Sequence, residues 1–180
     1  MPLLYAAALL LAAPAETKPE GPVALTGNIV RTGTVYSPAL MLVTDDGHRY
    51  DVVGDLWNEL ARLEGGAKLE LKCLREKGGS LLPRVRAVSY RIVELPGGAK
   101  PEVGIVRVDG DQVLLKLDGA EQLKLSDTAV AQRLKSHVGE KVWVVGKPIS
   151  SGLFKVWRVG FLGVPKAPAS APVEASSQPH

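Results

Sequence analysis

This chain writes one pattern twice. Residues 65–79 read GGAKLELKCLREKGG and residues 139–152 read GEKVWVVGKPISSG; each opens on glycine, passes lysine, runs through an apolar strand and breaks at glycine and serine. The stretches before them repeat as well. LTGNIVRTGTVYSPALMLVTDDGHRYDVV and EVGIVRVDGDQVLLKLDGAEQLKLS each read as strand, turn, strand, Asp-Gly turn, strand. Asp46-Gly47 and Asp118-Gly119 are hairpin signals, because glycine accepts a positive φ and aspartate caps the turn. The two turn glycines are 72 positions apart, and Lys68 and Lys141 are 73 apart. A register held through two landmarks argues for a duplicated unit. The fold must therefore close within about seventy residues.

After the third strand each copy carries a helical pattern. Leu56, Leu60 and Leu63 fall at helical spacing, as do Val130, Leu134 and Val138. Asp55 and Ser126 suit N-cap positions, and Gly65 and Gly139 suit the position just past the helix. A fourth strand follows (68–75 and 141–147), then a fifth (84–95 and 153–162). Three strands, a helix and two strands is the order of a five-stranded OB-fold barrel. The expected architecture is all-β with one short helix per repeat, as two tandem OB-type barrels. One larger β-sandwich, or two SH3-like barrels without the helix, are the competing arrangements.

Punctuation divides the chain. Residues 1–15 hold an apolar run, Leu3–Ala13, that ends in Ala-Pro-Ala. The run is too short to span a bilayer, which takes about 20 residues, and it reads as a signal peptide cut after Ala15. A polar spacer follows (16–22), then barrel one (23–95), a Pro/Gly linker (96–101), barrel two (102–164) and a Pro/Ala/Ser tail (165–180) expected to be disordered. The expected location is periplasmic or secreted. The single cysteine, Cys73, follows Leu69 and Leu71 at period two, which predicts a buried, inert thiol.

The stretch Gly27-Asn28-Ile29-Val30, followed by the apolar strand Leu40–Val43, resembles the opening of the bacterial periplasmic OB-fold family. The resemblance covers the order of elements in about seventy residues per copy. It implies a secreted, non-enzymatic binding module. That family usually has one barrel and this chain has two, and the resemblance carries over no binding residues.

Signatures of catalysis are absent from the sequence. His48 lies in TDDGHRYD, where Asp and Gly serve a turn, and one histidine without a second ligand at fixed spacing is not a zinc site. His137 falls where positive charge meets the end of a helix. No cofactor, metal or enzymatic activity is expected. Binding residues are sought in the loops joining strands one to two and four to five, which flank an OB ligand face. The candidates there are Arg31 and Tyr36; Arg75 and Lys77; and Lys147 and Lys155. Trp143, Phe154 and Trp157 add aromatic area in the second copy. If Val142 and Val144 point inward, Trp143 points outward, either onto the first barrel or toward a partner. The first expectation is therefore a protein or envelope partner seated on Trp143. The alternative is an oligonucleotide or acidic glycan held by the basic loops. Net charge is only +3, with 10 basic against 9 acidic residues in 23–95 and 10 against 7 in 100–164, so neither copy is a strong electrostatic trap.

Overall fold

The structure, a computed structural model, describes residues 21–77, 81–119, 121–149 and 152–164. The expected signal segment (1–15) and tail (165–180) lie outside the described residues. The protein is mostly β and OB-like. In the first lobe, β1 (Val23–Gly33), β2 (Pro38–Thr44), β3 (Arg49–Val53), β4 (Lys68–Glu76) and β5 (Arg84–Glu94) form a closed barrel in the order β1-β2-β3-β5-β4. β3 closes it by pairing in parallel with β5, from Asp51↔Arg84 to Val53↔Arg86. A short helix, α1 (Trp57–Leu60), joins β3 to β4. Alternation along the strands turns Ile29, Leu40, Leu42, Leu69, Leu71 and Cys73 into the core, all but Ile29 at 0% exposure. Burial pushes the Cys73 thiol pKa up, and its Sγ lies 3.6 Å from the Val23 carbonyl oxygen.

The second lobe has the same strand order without the same closure. β6 (Glu102–Asp109), β7 (Gln112–Leu117), β8 (Gln122–Lys124), β9 (Lys141–Pro148) and β10 (Phe154–Gly163) run in the order β10-β9-β6-β7-β8. α2 (Ala129–Leu134) and a 3₁₀ turn at Lys135–His137 join β8 to β9. A single parallel bridge, Leu125↔Phe154, stands where the first lobe has a ladder. β8 has three residues against five in β3, too few to pair along both edges.

Local chemistry departs from expectation at the helices. Asp55 does not cap α1, whose N-cap is Leu56 with no side-chain hydrogen bond. Thr128, not Ser126, caps α2, its hydroxyl accepting from the Ala131 amide at 3.2 Å. Ser126 is instead buried, its hydroxyl without a protein partner among the described residues. Gly66 rather than Gly65 takes the positive φ after α1; Gly139 takes it after the second helix. The helices are shorter than the leucine spacing predicts. Val138 falls past the end of the second one and is exposed.

β9 joins the lobes. Val142 and Val144 enter the second lobe's core with Phe154 and Val156. Trp143 and Val145 point the other way, into the first lobe's core, where Leu162 joins them. The strand is buried on both faces, which is why VWVV reads as an unbroken apolar run. Gly160 pairs with Trp143, and a Cβ at Gly160 would lie 2.2 Å from the indole, so only glycine fits there. The Arg158 guanidinium lies 5.5 Å from the Trp143 ring, pairs with Glu64 and donates to the Pro96 carbonyl. Nearby, the Glu59 carboxylate takes both the Lys141 ammonium and the Tyr90 hydroxyl at 2.5 Å. The 96–101 segment is also more ordered than a loose linker. Leu95 and Ala99 form a bridge across a turn in which Gly97 and Gly98 have positive φ.

Candidate functional site

The nine candidate residues fall in three places. Arg31, Tyr36, Arg75 and Lys77 are exposed on the first lobe's two hairpin ends, Tyr36 at 99%. β1 pairs with β2 through its C-terminal half and with β4 through its N-terminal half, so these two ends lie at opposite ends of β1. They do not form one cluster. Trp143 and Phe154 must be removed from any binding surface. Trp143 is 2% exposed between the lobes, and Phe154 is 9% exposed within the second core. The third group, Lys147, Lys155 and Trp157, is exposed on the β9–β10 hairpin.

The first lobe pairs four of its strand cations internally. Arg84 meets Asp51 at 3.0 Å, Lys68 meets Asp45 at 2.7 Å, and Arg86 and Arg91 meet Glu76 and Glu70, each at 2.5 Å. The Arg91 guanidinium holds the Glu70 carboxyl below its ordinary pKa. These pairs are exposed or half-exposed and contribute little stability, but they cancel field at the surface. His48 sits beside Asp46 at 3.5 Å in the β2–β3 turn, where the Thr44 hydroxyl donates to Asp46 and lowers its pKa. The described residues contain no group of three metal-ligating side chains.

The second lobe does not cancel its charge in this way. On β6, β7 and β8 the residues that point away from the core include Ile105 and Arg107, Leu114 and Lys116, and Gln122 and Lys124, with Asp109 and Gln112 at the strand ends. Register sets them in two rows, Arg107–Leu114–Lys124 and Ile105–Lys116–Gln122. Side chains within a row stand about 5 Å apart, and diagonal neighbours about 7–8 Å. The three cations are exposed, Leu114 and Ile105 are half-buried, and these six positions hold no carboxylate. None of the three cations has an acidic partner within ion-pair distance among the described residues. These residues escaped the loop-based reading. Their signal was the alternation in IVRV, LLKL and QLKL, which puts each cation on the solvent side of its strand.

The crevice between the lobes, about 500 Å³, is lined by Tyr90, Lys100, Glu102, Asp118 and Lys141 among others. The Glu59–Tyr90–Lys141 contacts there satisfy one another and bind the lobes together. Burial, then the adjoining Glu59 carboxylate, holds the Tyr90 hydroxyl far above its ordinary pKa.

No protein-family model matches the chain, and no curated protein matches it in sequence. Among solved structures it is similar to the wild-type single-stranded DNA binding protein from Thermus aquaticus, at 15% identity, over 84% of this chain and 98% of that one. The TM-score is 0.27. A deletion mutant of the same protein aligns at 16% identity over 85% and 98%, with a TM-score of 0.28. Superpositions this loose add nothing to the fold argument, which rests on the strand pairing described above.

Proposed function

We propose that this chain is a non-enzymatic binding protein that holds single-stranded nucleic acid on the outer face of its second lobe. The observation that carries the reading is the Arg107–Lys116–Lys124 triangle around Leu114 and Ile105, three cations without an ion-pair partner among the described residues, with Asp109 at the end of β6 as the one outward carboxylate of these strands. Lysine and arginine take phosphates and release counterions, while the half-buried aliphatic surface between them takes the flat faces of bases. In an OB-type barrel the face of strands two and three, here β7 and β8, is where oligonucleotides lie. On the first lobe's strands Lys68, Arg84, Arg86 and Arg91 are already paired with carboxylates. We take the second lobe as a diverged copy of the first, and we take the chain as exported, on its N-terminal pattern. A protein or envelope partner seated on Trp143 is not proposed, because that indole is buried.

The test is fluorescence anisotropy of a labelled thymidylate twenty-mer titrated with protein at 50 and 200 mM salt. Single-strand contacts contribute about 0.7 each to the slope of log K on log salt, so three contacts predict a slope near −2. The triple variant R107E/K116E/K124E should abolish this binding while keeping the wild-type melting temperature. Equal binding by wild type and variant, or none at the lower salt, would sink the proposal. A sulfated glycan of similar charge that binds as tightly would redirect it to acidic glycans.

A further inference from the structure

β9 runs beside β6, and its register adds a residue to the proposed nucleic-acid face. Lys141 stands directly opposite Ile105, which stands opposite Lys116, so one row reads Lys141–Ile105–Lys116. The row beside it reads Arg107–Leu114–Lys124. Each row is an aliphatic side chain flanked by two cations. Alternation fixes the side on which Lys141 lies: Val142 and Val144 enter the second lobe's core, so Lys141 points outward with Trp143 and Ile105. Two strand spacings of about 4.8 Å set Lys141 on the order of 10 Å from Lys116. Lys141 differs from the other three cations in having a partner. Its ammonium lies 2.5 Å from the Glu59 carboxylate of the first lobe and 4.8 Å from the centre of the Tyr90 ring. Both members of the pair are half-buried, and Lys141 also lines the crevice between the lobes, where Lys100 stands against the carboxylates Glu102 and Asp118.

We propose that Lys141 is the fourth cation of the nucleic-acid face, and that Glu59 of the first lobe competes with phosphate for it. This rests on the reading of the second lobe as a single-strand binder and names a control on that same face. A carboxylate and a phosphate ask the same thing of an ammonium, a charge-assisted hydrogen bond to an anionic oxygen. Glu59 therefore occupies the place of a phosphate at the head of its row. Release of Lys141 does not orphan the carboxylate, because the Tyr90 hydroxyl still donates to it at 2.5 Å. The exchange swaps one anion for another on Lys141 and leaves no half-buried charge without a partner. In the wild-type chain the internal pair wins. Glu59 is held beside Lys141 by the fold, whereas a phosphate must be brought from solution. The lobe junction thus holds the face to three phosphate contacts where its register offers four.

The thymidylate twenty-mer titration at 50 and 200 mM salt tests this with wild type, E59Q, K141Q and E59Q/K141Q. E59Q should bind about threefold tighter or more at the lower salt, and its slope of log K on log salt should steepen by about 0.7, one further contact. K141Q should match wild type within about twofold, because that ammonium is already taken. E59Q/K141Q should lose the gain of E59Q, which separates release of Lys141 from the mere removal of a negative charge. E64Q removes another carboxylate of the lobe junction, the partner of Arg158, which belongs to neither row, and should leave the slope unchanged. Circular dichroism checks that each variant is folded. If E59Q is not, K141Q decides alone: a match to wild type supports the competition, and a loss beyond about threefold overturns it by placing Lys141 on the strand already. If wild type binds through the triangle and E59Q keeps its affinity and slope, the competition is refuted while the proposed function stands. A gain that survives in E59Q/K141Q, or that E64Q reproduces, refutes it equally. If neither wild type nor E59Q binds, the proposed function has fallen and the competition with it.

Discussion

Trp143→Ala tests whether the two lobes are one cooperative unit. The indole is 2% exposed and belongs to a core cluster made mostly of first-lobe residues, though it sits on a second-lobe strand. Truncating a buried tryptophan costs about 3–5 kcal/mol, from lost transfer free energy and the cavity left behind. Gly160 and the Arg158 guanidinium line that cavity and fill little of it, so about 4 kcal/mol is the working figure. For a chain of this size, that lowers the melting temperature by about 8–16 °C. Urea unfolding followed by circular dichroism should show one transition moved to lower denaturant with its slope unchanged. Oligonucleotide affinity, measured well below the midpoint, should stay within about twofold, because Trp143 is covered by the first lobe and belongs to neither of the two rows that hold Arg107, Lys116 and Lys124. A loss under about 1 kcal/mol would mean that the indole is not a core residue. A melt that splits into two transitions would mean that the lobes unfold separately, and the shared-core argument would fail.

Tyr90 predicts an alkaline weakness. Its pKa is raised above the ordinary 10.0 in the folded chain, so the folded state keeps a proton that the unfolded chain sheds. That stability is present below pH 10 and is lost as pH rises beyond it. Urea midpoints at pH 9 and 11 should fall further for wild type than for Y90F; equal falls would remove Tyr90 as the cause. Ser126→Ala should leave the protein unchanged or more stable by about 1 kcal/mol, because the buried hydroxyl has no partner to lose among the described residues. A melting temperature several degrees lower in the variant would reveal a bond to that hydroxyl.

Much of this architecture was legible in the residues. Turn glycines 72 apart, period-two strands and the helical leucines lead to two copies of one strand order, because turn geometry and side-chain alternation are local properties. Cap chemistry was legible only in type. Ser126 and Thr128 are both plausible caps in SDT, and the backbone path chose Thr128. The three cations of the candidate site were visible in IVRV, LLKL and QLKL, but their lack of acidic partners was not. Pairing depends on which strands become neighbours and in what register, and that is settled across the sheet. Phe154 shows the same limit: a residue next to a basic loop was taken for a contact, and the strand turned it into the core.

By itself the sequence determined the elements, their order and which face of each strand is apolar. Each of these follows from interactions between residues close along the chain. Only the tertiary structure decided that the outward face of β9 is covered by the first lobe, that the second sheet stays open beside β8, and that Lys68, Arg84, Arg86 and Arg91 are paired while the triangle's cations are not. Those outcomes depend on contacts between segments far apart in sequence, such as Lys141 with Glu59 and Arg158 with Glu64. No local pattern encodes such contacts, because each side of the pair is equally compatible with open solvent.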